Sequence, residues 1–292
     1  MSDPSQIVNR SATVETAVVG GVESLGGRHS ITVGPAPGGA LYGAGTVARM
    51  VTRQEIQYEV DGTTMVGVLA ADETVDDAPR PGVVLFHEGG GQDENVRSRA
   101  ARLADLGYVA FAADYFGGGQ QLPLDRAQAR LGELMNDPDQ IRRLARAGLD
   151  TLLADPRVDA GRTAAFGYCF GGTMALELGR SGADLRAIVG FHPGLGSKRP
   201  EDSRNIVASV LMLCGADDPI LPPETRQAFE NEMRDSGVAD WRIELYGGVG
   251  HSFTNPDIDA RSLGDAFKYD RRADERSWAS ATALLVECFD AG

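Results

Sequence analysis

The sequence predicts an α/β class, with a mostly parallel sheet and helices on both faces. Along most of its 292 residues, short apolar runs of strand length alternate with segments of helical periodicity. Repeated units of this kind pack as a parallel sheet covered on both sides. One of them, Arg162-Thr-Ala-Ala-Phe166 followed by Thr173 to Gly179, passes from strand to helix through Gly167-Tyr-Cys-Phe-Gly-Gly172. The length suffices for one large domain with a substantial core.

Residues 1–49 hold a single aromatic, Tyr42, and no sustained periodicity, and they read as a flexible extension. The domain is expected over 50–292. Glu55 to Val60 and Met65 to Ala71 alternate apolar and polar residues around Asp61-Gly62, a hairpin signal. Pro81 to Phe86 is apolar on both faces, as a central covered strand is. A helix follows over Asn95 to Gly107, with Val96, Ala100, Leu103 and Ala104 on one face and Gly107 as the stop. Tyr108 to Ala113 reads as the next strand, and the glycines 117–119 precede a helical region. Asp137-Pro138 opens another helix, with Asp137 as N-cap and Gln140 completing a capping box. Beyond the central turn come strands at Leu185 to Phe191, Val207 to Cys214 and Trp241 to Tyr246. Helices are expected from Pro222 to about Asp235 and from Ala273 to Phe289.

In Gly-x-Cys-x-Gly the cysteine occupies the nucleophile position of a strand-to-helix elbow. Glycine is expected two residues to each side, because a Cβ there would collide with the strand or the helix. The first helical N–H groups then point at the sulfur and favour a thiolate. Two further loops follow strand ends, Gly215-Ala-Asp-Asp-Pro219 and Gly247-Gly-Val-Gly-His-Ser-Phe253. With Cys169 ahead of them, the chain order is nucleophile, acid, base, the order of the α/β-hydrolase fold. Cys169 needs a base to become a nucleophile at neutral pH, His251 can take and return its proton, and Asp218 would hold the imidazole. Asp217 is the adjacent competitor. Asp218 is preferred because it stands directly before Pro219. Of the four histidines, His29 lies in the extension, His192 closes a strand in a pocket-wall or packing role, and His87 precedes the nucleophile, although it could line the pocket.

A net charge of −14 argues against nucleic acid and anionic membranes as partners. No apolar run approaches the ~18 residues of a membrane span. The first residues show no leader pattern, so a cytoplasmic protein is expected. Three cysteines without a C-x-x-C or Cys/His cluster call for neither a disulfide framework nor a metal, and no cofactor is implied. Cys214 and Cys288 read as packing thiols. The expected partner is a small molecule, and the chain is taken as a monomer or homodimer.

Together G-Y-C-F-G-G, G-A-D-D-P-I-L-P and G-H-S-F resemble the dienelactone hydrolase family of cysteine α/β-hydrolases over about residues 50 to 290. The resemblance implies hydrolysis of an ester or lactone through a Cys-His-Asp triad and a thioester acyl-enzyme. It implies that Glu88, in F-H-E-G-G-G, contacts the resting thiol and helps to ionise it when substrate binds. It also places an oxyanion hole at the backbone N–H groups of Phe170 and Gly89. Members that hydrolyse dienelactone carry arginines for the substrate carboxylate, whereas the matching stretches here, Asp114 to Gly119 and Ser252 to Pro256, contain none. Arg97, Arg99, Lys198 and Arg199 are expected on solvated loop and helix faces, so neutral substrates are favoured. The alternatives are a thioesterase or small peptidase on the same triad, and a redox-sensing thiol without catalysis.

Overall fold

In a computed structural model, residues 14–15, 49–75, 78–261 and 263–290 are described. The strands are β1 (Val14–Glu15), β2 (Val51–Val60), β3 (Thr63–Asp72), β4 (Arg80–Phe86), β5 (Val109–Ala113), β6 (Val158–Tyr168), β7 (Ala187–Phe191), β8 (Ser209–Gly215) and β9 (Trp241–Tyr246). They form one sheet in the order β1-β2-β3-β5-β4-β6-β7-β8-β9. β4 through β9 are mutually parallel, and the β2–β3 hairpin joins β5 antiparallel. The hairpin turns at Asp61 and Gly62, both with positive φ (51° and 77°), as a two-residue turn matched to strand twist requires.

The central strands are buried on both faces, which is why they read as continuous apolar runs. Val83 and Leu85 of β4 share a core with α1 (Glu94–Asp105) and α6 (Arg271–Asp290). Val84 and Phe86 face the opposite core, built with α3 (Pro138–Leu153), α4 (Phe170–Arg180) and α5 (Pro223–Asp235). The remaining helix, α2 (Leu124–Asn136), packs beside α3. The expected class is therefore the observed one.

Helix ends follow local chemistry. Asp137 accepts a hydrogen bond from the Gln140 N–H at 2.9 Å, and Pro138 sits in the first turn. The reciprocal half of the expected capping box does not form, because the Asp137 N–H donates to the Leu134 carbonyl and so closes α2. Helix α6 begins two residues earlier than its apolar pattern, since Asp270 receives the Ala273 N–H at 2.8 Å. Two residues of the expected extension, Val14 and Glu15, pair with β2 at Gln54 and Arg53. Arg49, also of that stretch, is exposed with its Nε 3.9 Å from Asp72 Oδ2, and residues 1–13 and 16–48 lie outside the described residues.

From β4 the chain crosses through α1 to β5 on one side, and from β6 through α4 to β7 on the other. A crevice opens at the carboxyl ends of the strands where such a sheet reverses direction. Glu88 and Cys169 stand immediately beyond β4 and β6, on either side of that point.

Candidate active site

Cys169 is the single residue between β6 and α4, with φ 55° and ψ −119°. A residue with a Cβ is strained there and persists only where its surroundings hold it. The Cys169 N–H donates to the Phe191 carbonyl at 3.0 Å, and its own carbonyl accepts from Gly172 at 2.9 Å and Gly194 at 3.2 Å. A Cβ on Gly167 would lie 1.9 Å from the Gly171 oxygen, and one on Gly171 would lie 2.2 Å from the Phe86 oxygen. Both flanking glycines are therefore required by close backbone approach, as the motif predicts. Among the described residues, neither the Phe170 N–H nor the Gly89 N–H donates to a backbone carbonyl.

Asp218 and His251 come from the loops after β8 and β9. The Asp218 Oδ2 lies 2.7 Å from His251 Nδ1, while its Oδ1 accepts from the Ile220 N–H at 2.8 Å and so orients the carboxylate. Asp217, the adjacent aspartate, is exposed. His251 is 1% exposed, and its Nε2, which no nitrogen or oxygen atom of the described residues partners, is turned to the Cys169 sulfur. Burial opposes protonation of this ring, but the charge of the Cys169 sulfur and the hydrogen bond to Asp218 outweigh it and push His251 up to about 10.

The other described histidines serve the scaffold. His87 is fully buried, stacked on Tyr115 at 3.8 Å, and does not line the cavity. His192 packs edge-on against His251 at 5.1 Å and places its Nε2 2.9 Å from Thr254 Oγ1. Burial holds it well below the usual histidine range, so it is a neutral wall behind the candidate base. His29 lies outside the described residues.

Glu88 is 4% exposed. Its Oε2 accepts from Ser252 Oγ at 3.4 Å and Asn255 Nδ2 at 3.3 Å, and its Oε1 has no hydrogen-bond partner among the described residues. The hydrogen bonds of Glu88 thus run to the loop after His251 and not to the thiol. Burial, and then the charge of Asp93, push Glu88 up to about 7, with His251 and Arg261 pulling the other way.

Cys169, His251, Glu88 and Gly89 open onto one cavity of about 500 Å³. Its walls are largely apolar and include Leu122, Leu131, Ile220, Ile258 and Phe267. Among the described residues one arginine lines it, Arg261, which the sequence reading passed over. It sits ten residues beyond His251 in a loop with no periodic pattern, and only tertiary folding lays its guanidinium over Gly90 and 2.8 Å from Asp93. The Asp93 carboxylate also caps α1 through the Val96 N–H. Arg99, expected on a solvated helix face, is instead 3% exposed. Its guanidinium donates to the Thr254 carbonyl at 2.6 Å and pairs with Asp274 of α6 at 2.8 Å, so it braces the His251 loop and offers nothing to the cavity. Lys198 is exposed as expected, and Arg199 pairs with Asp139 at the surface.

A profile of the Dienelactone hydrolase family matches residues 65–289. The chain is 44% identical to the solved structure of m3DLH, with a TM-score of 0.78, covering 82% of this chain and 98% of that one. It is 39% identical, with the same TM-score and coverage, to the dienelactone hydrolase-like promiscuous phosphotriesterase P91 from metagenomic libraries. A protein of Aquifex aeolicus named "Putative carboxymethylenebutenolidase" is 24% identical over 207 residues, 69% of this chain and 87% of that protein. A strained elbow cysteine, an aspartate-bound histidine and a cavity between them thus stand on a scaffold matched by the family from β3 into α6, and the chain belongs to the dienelactone hydrolase family as an ester-bond hydrolase.

Proposed function

We propose that Cys169, His251 and Asp218 act as nucleophile, base and orienting acid in the hydrolysis of neutral esters or lactones through a thioester acyl-enzyme. The observation that carries this reading is the disposition of His251. One ring nitrogen is held by Asp218, and the other is buried beside the cavity, turned to the Cys169 sulfur. His251 Nε2 takes the thiol proton, and the sulfur attacks the carbonyl carbon. The resulting oxyanion accepts from the Phe170 and Gly89 N–H groups, donors of a kind worth ~3 kcal/mol each in the transition state. His251 returns the proton to the departing alkoxide, and water, deprotonated by His251, then releases the acid from the thioester. Glu88, near its half-protonated point at neutral pH, assists ionisation of the thiol with its free oxygen. The domain runs from 50 to 292, and every residue with a role in this mechanism lies at or beyond Glu88. A redox-sensing thiol would need neither the aspartate-bound histidine nor the apolar cavity.

The apolar walls and the pairing of Arg261 with Asp93 support a preference for uncharged substrates. A carboxylate entering this cavity loses its hydration while Arg261 is already engaged, and the net charge of −14 repels anions at a distance. Neutral short-chain esters and lactones are therefore expected to show about tenfold or more higher kcat/KM than matched substrates with a free carboxylate, and added salt should narrow the gap. Initial rates on such matched pairs at two ionic strengths provide the test. A preference for the carboxylated member would mean that Arg261 leaves Asp93 to bind it.

An uncharged phosphotriester is a second substrate class supported by the likeness to P91 and by the same neutral cavity. Slow release of the aryl alcohol from a neutral aryl dialkyl phosphate is expected, lost in Cys169→Ala. Equal rates in the two proteins would remove this reading.

A further inference from the structure

We infer that Asn255 is a positioning residue whose buried amide ties Glu88 to Asp93 and holds the Glu88 carboxylate at the cavity with one oxygen left free. The inference rests on the reading of Glu88 as the group that assists ionisation of Cys169.

Asn255 is fully buried. Its Nδ2 reaches Glu88 Oε2 at 3.3 Å and Asp93 Oδ2 at 3.2 Å, so both amide hydrogens serve carboxylates. The orientation of the amide is set by its oxygen, which accepts from the Asp257 N–H at 3.1 Å. A flipped amide would turn its oxygen towards two carboxylates and its NH2 towards a donor. The backbone is held as well, with the Asn255 N–H donating to the Ser252 carbonyl at 3.0 Å. Two acidic side chains from different elements are thus held by one neutral group. An Asn at this place counters their repulsion without adding a charge to the cavity.

The consequence concerns the proton on Glu88. The groups facing it are Asp93 at the start of α1, Tyr115 beyond β5, Cys169 at the elbow, His192 beyond β7, and His251 and Arg261 from the loop after β9. The Tyr115 hydroxyl donates to the Glu88 carbonyl and not to its carboxylate, and His192 is neutral. Asn255 and Ser252 are therefore the side chains that hydrogen-bond the carboxylate itself. A donor to a carboxylate favours its charged form, and a neighbouring carboxylate disfavours it. Asn255 acts in the first sense and Asp93 in the second.

The test is the pH dependence of kcat/KM on a neutral ester for the full-length protein and three variants. The wild type should show an acidic limb near 7. In Asn255→Leu the limb should move up by about one pH unit, lowering kcat/KM about tenfold at pH 6 and much less at pH 9. In Asp93→Asn, which retains a good N-cap for α1, the limb should move down. Opposite shifts from two residues joined by one hydrogen bond are not what general loosening of the loop produces. An unmoved limb in Asn255→Leu, or an equal loss at every pH, overturns the inference. Should Asn255→Leu fail to fold, Asn255→Ala and Asp93→Asn are read in its place, and an unmoved limb in both overturns it equally. Glu88→Gln separates this from the underlying reading: a limb near 7 that survives Glu88→Gln belongs to another group and removes the role of Glu88 itself.

Discussion

Cys169→Ala is expected to abolish ester turnover, with kcat lowered by about 10⁴-fold or more, and His251→Ala to cost nearly as much. The sulfur is the only protein atom in the proposed scheme that bonds to the acyl carbon, and His251 is the only described histidine that lines the cavity. Residues acting as one unit are strongly non-additive, so the double variant should be little worse than either single one. The fold should be retained in both. Alanine at 169 keeps the Cβ that makes φ 55° unfavourable, so it neither relieves nor worsens the strain at the elbow. Stopped assays on a chromogenic ester, with melting curves as a control for folding, decide the matter. Substantial turnover by purified Cys169→Ala would end the cysteine mechanism.

Glu88→Gln is expected to change stability and activity in opposite directions. The folded protein holds the Glu88 proton up to about 7 against an ordinary value of 4.5, so across that window the folded state binds more protons than the unfolded one. Stability from this group is therefore complete below about 4.5 and falls as pH rises towards 7. The loss amounts to about 3 kcal/mol, from 2.5 pH units at 1.36 kcal/mol each. Glutamine keeps an oxygen to accept from Asn255 and Ser252 and carries no charge to bury. At pH 8 it should raise the melting temperature by several degrees, at roughly 2–4 °C per kcal/mol for a domain of this size. At pH 4 the two proteins should melt together. Acylation should slow by up to about a hundredfold if the proposed assistance to thiol ionisation is lost with the carboxylate. A variant that is equally stable at pH 8 would contradict the burial of a charged Glu88, and one that is equally fast would return Glu88 to a structural role.

The fold and the elbow were legible because their causes are local. Apolar runs buried on both faces need only composition, the Asp61-Gly62 turn needs only two residues that tolerate positive φ, and Gly167 and Gly171 mark the elbow because a single Cβ at either place would meet backbone. The order Cys169, Asp218, His251 is a property of the chain itself. The tertiary structure brings Asp218, preferred in the sequence for its place before Pro219, within 2.7 Å of His251 and leaves Asp217 in solvent.

Where the reading from sequence departed from the structure, the deciding contact spans a long separation. Arg99 has the spacing of an exposed helix position, yet its partner Asp274 lies 175 residues away on α6 and draws it inside. Glu88 takes its hydrogen bonds from Ser252 and Asn255, more than 160 residues further on, partners that no local pattern announces. Arg261 enters the cavity because Asp93, 168 residues earlier, is there to neutralise it. The sequence by itself determined the sheet and the elbow, because steric exclusion and apolar burial act on short stretches of chain. Only the tertiary structure decided which charges are buried, which are paired and which proton is held near neutrality, because desolvation and Coulomb energies depend on every group brought within a few ångströms, whatever its place in the chain.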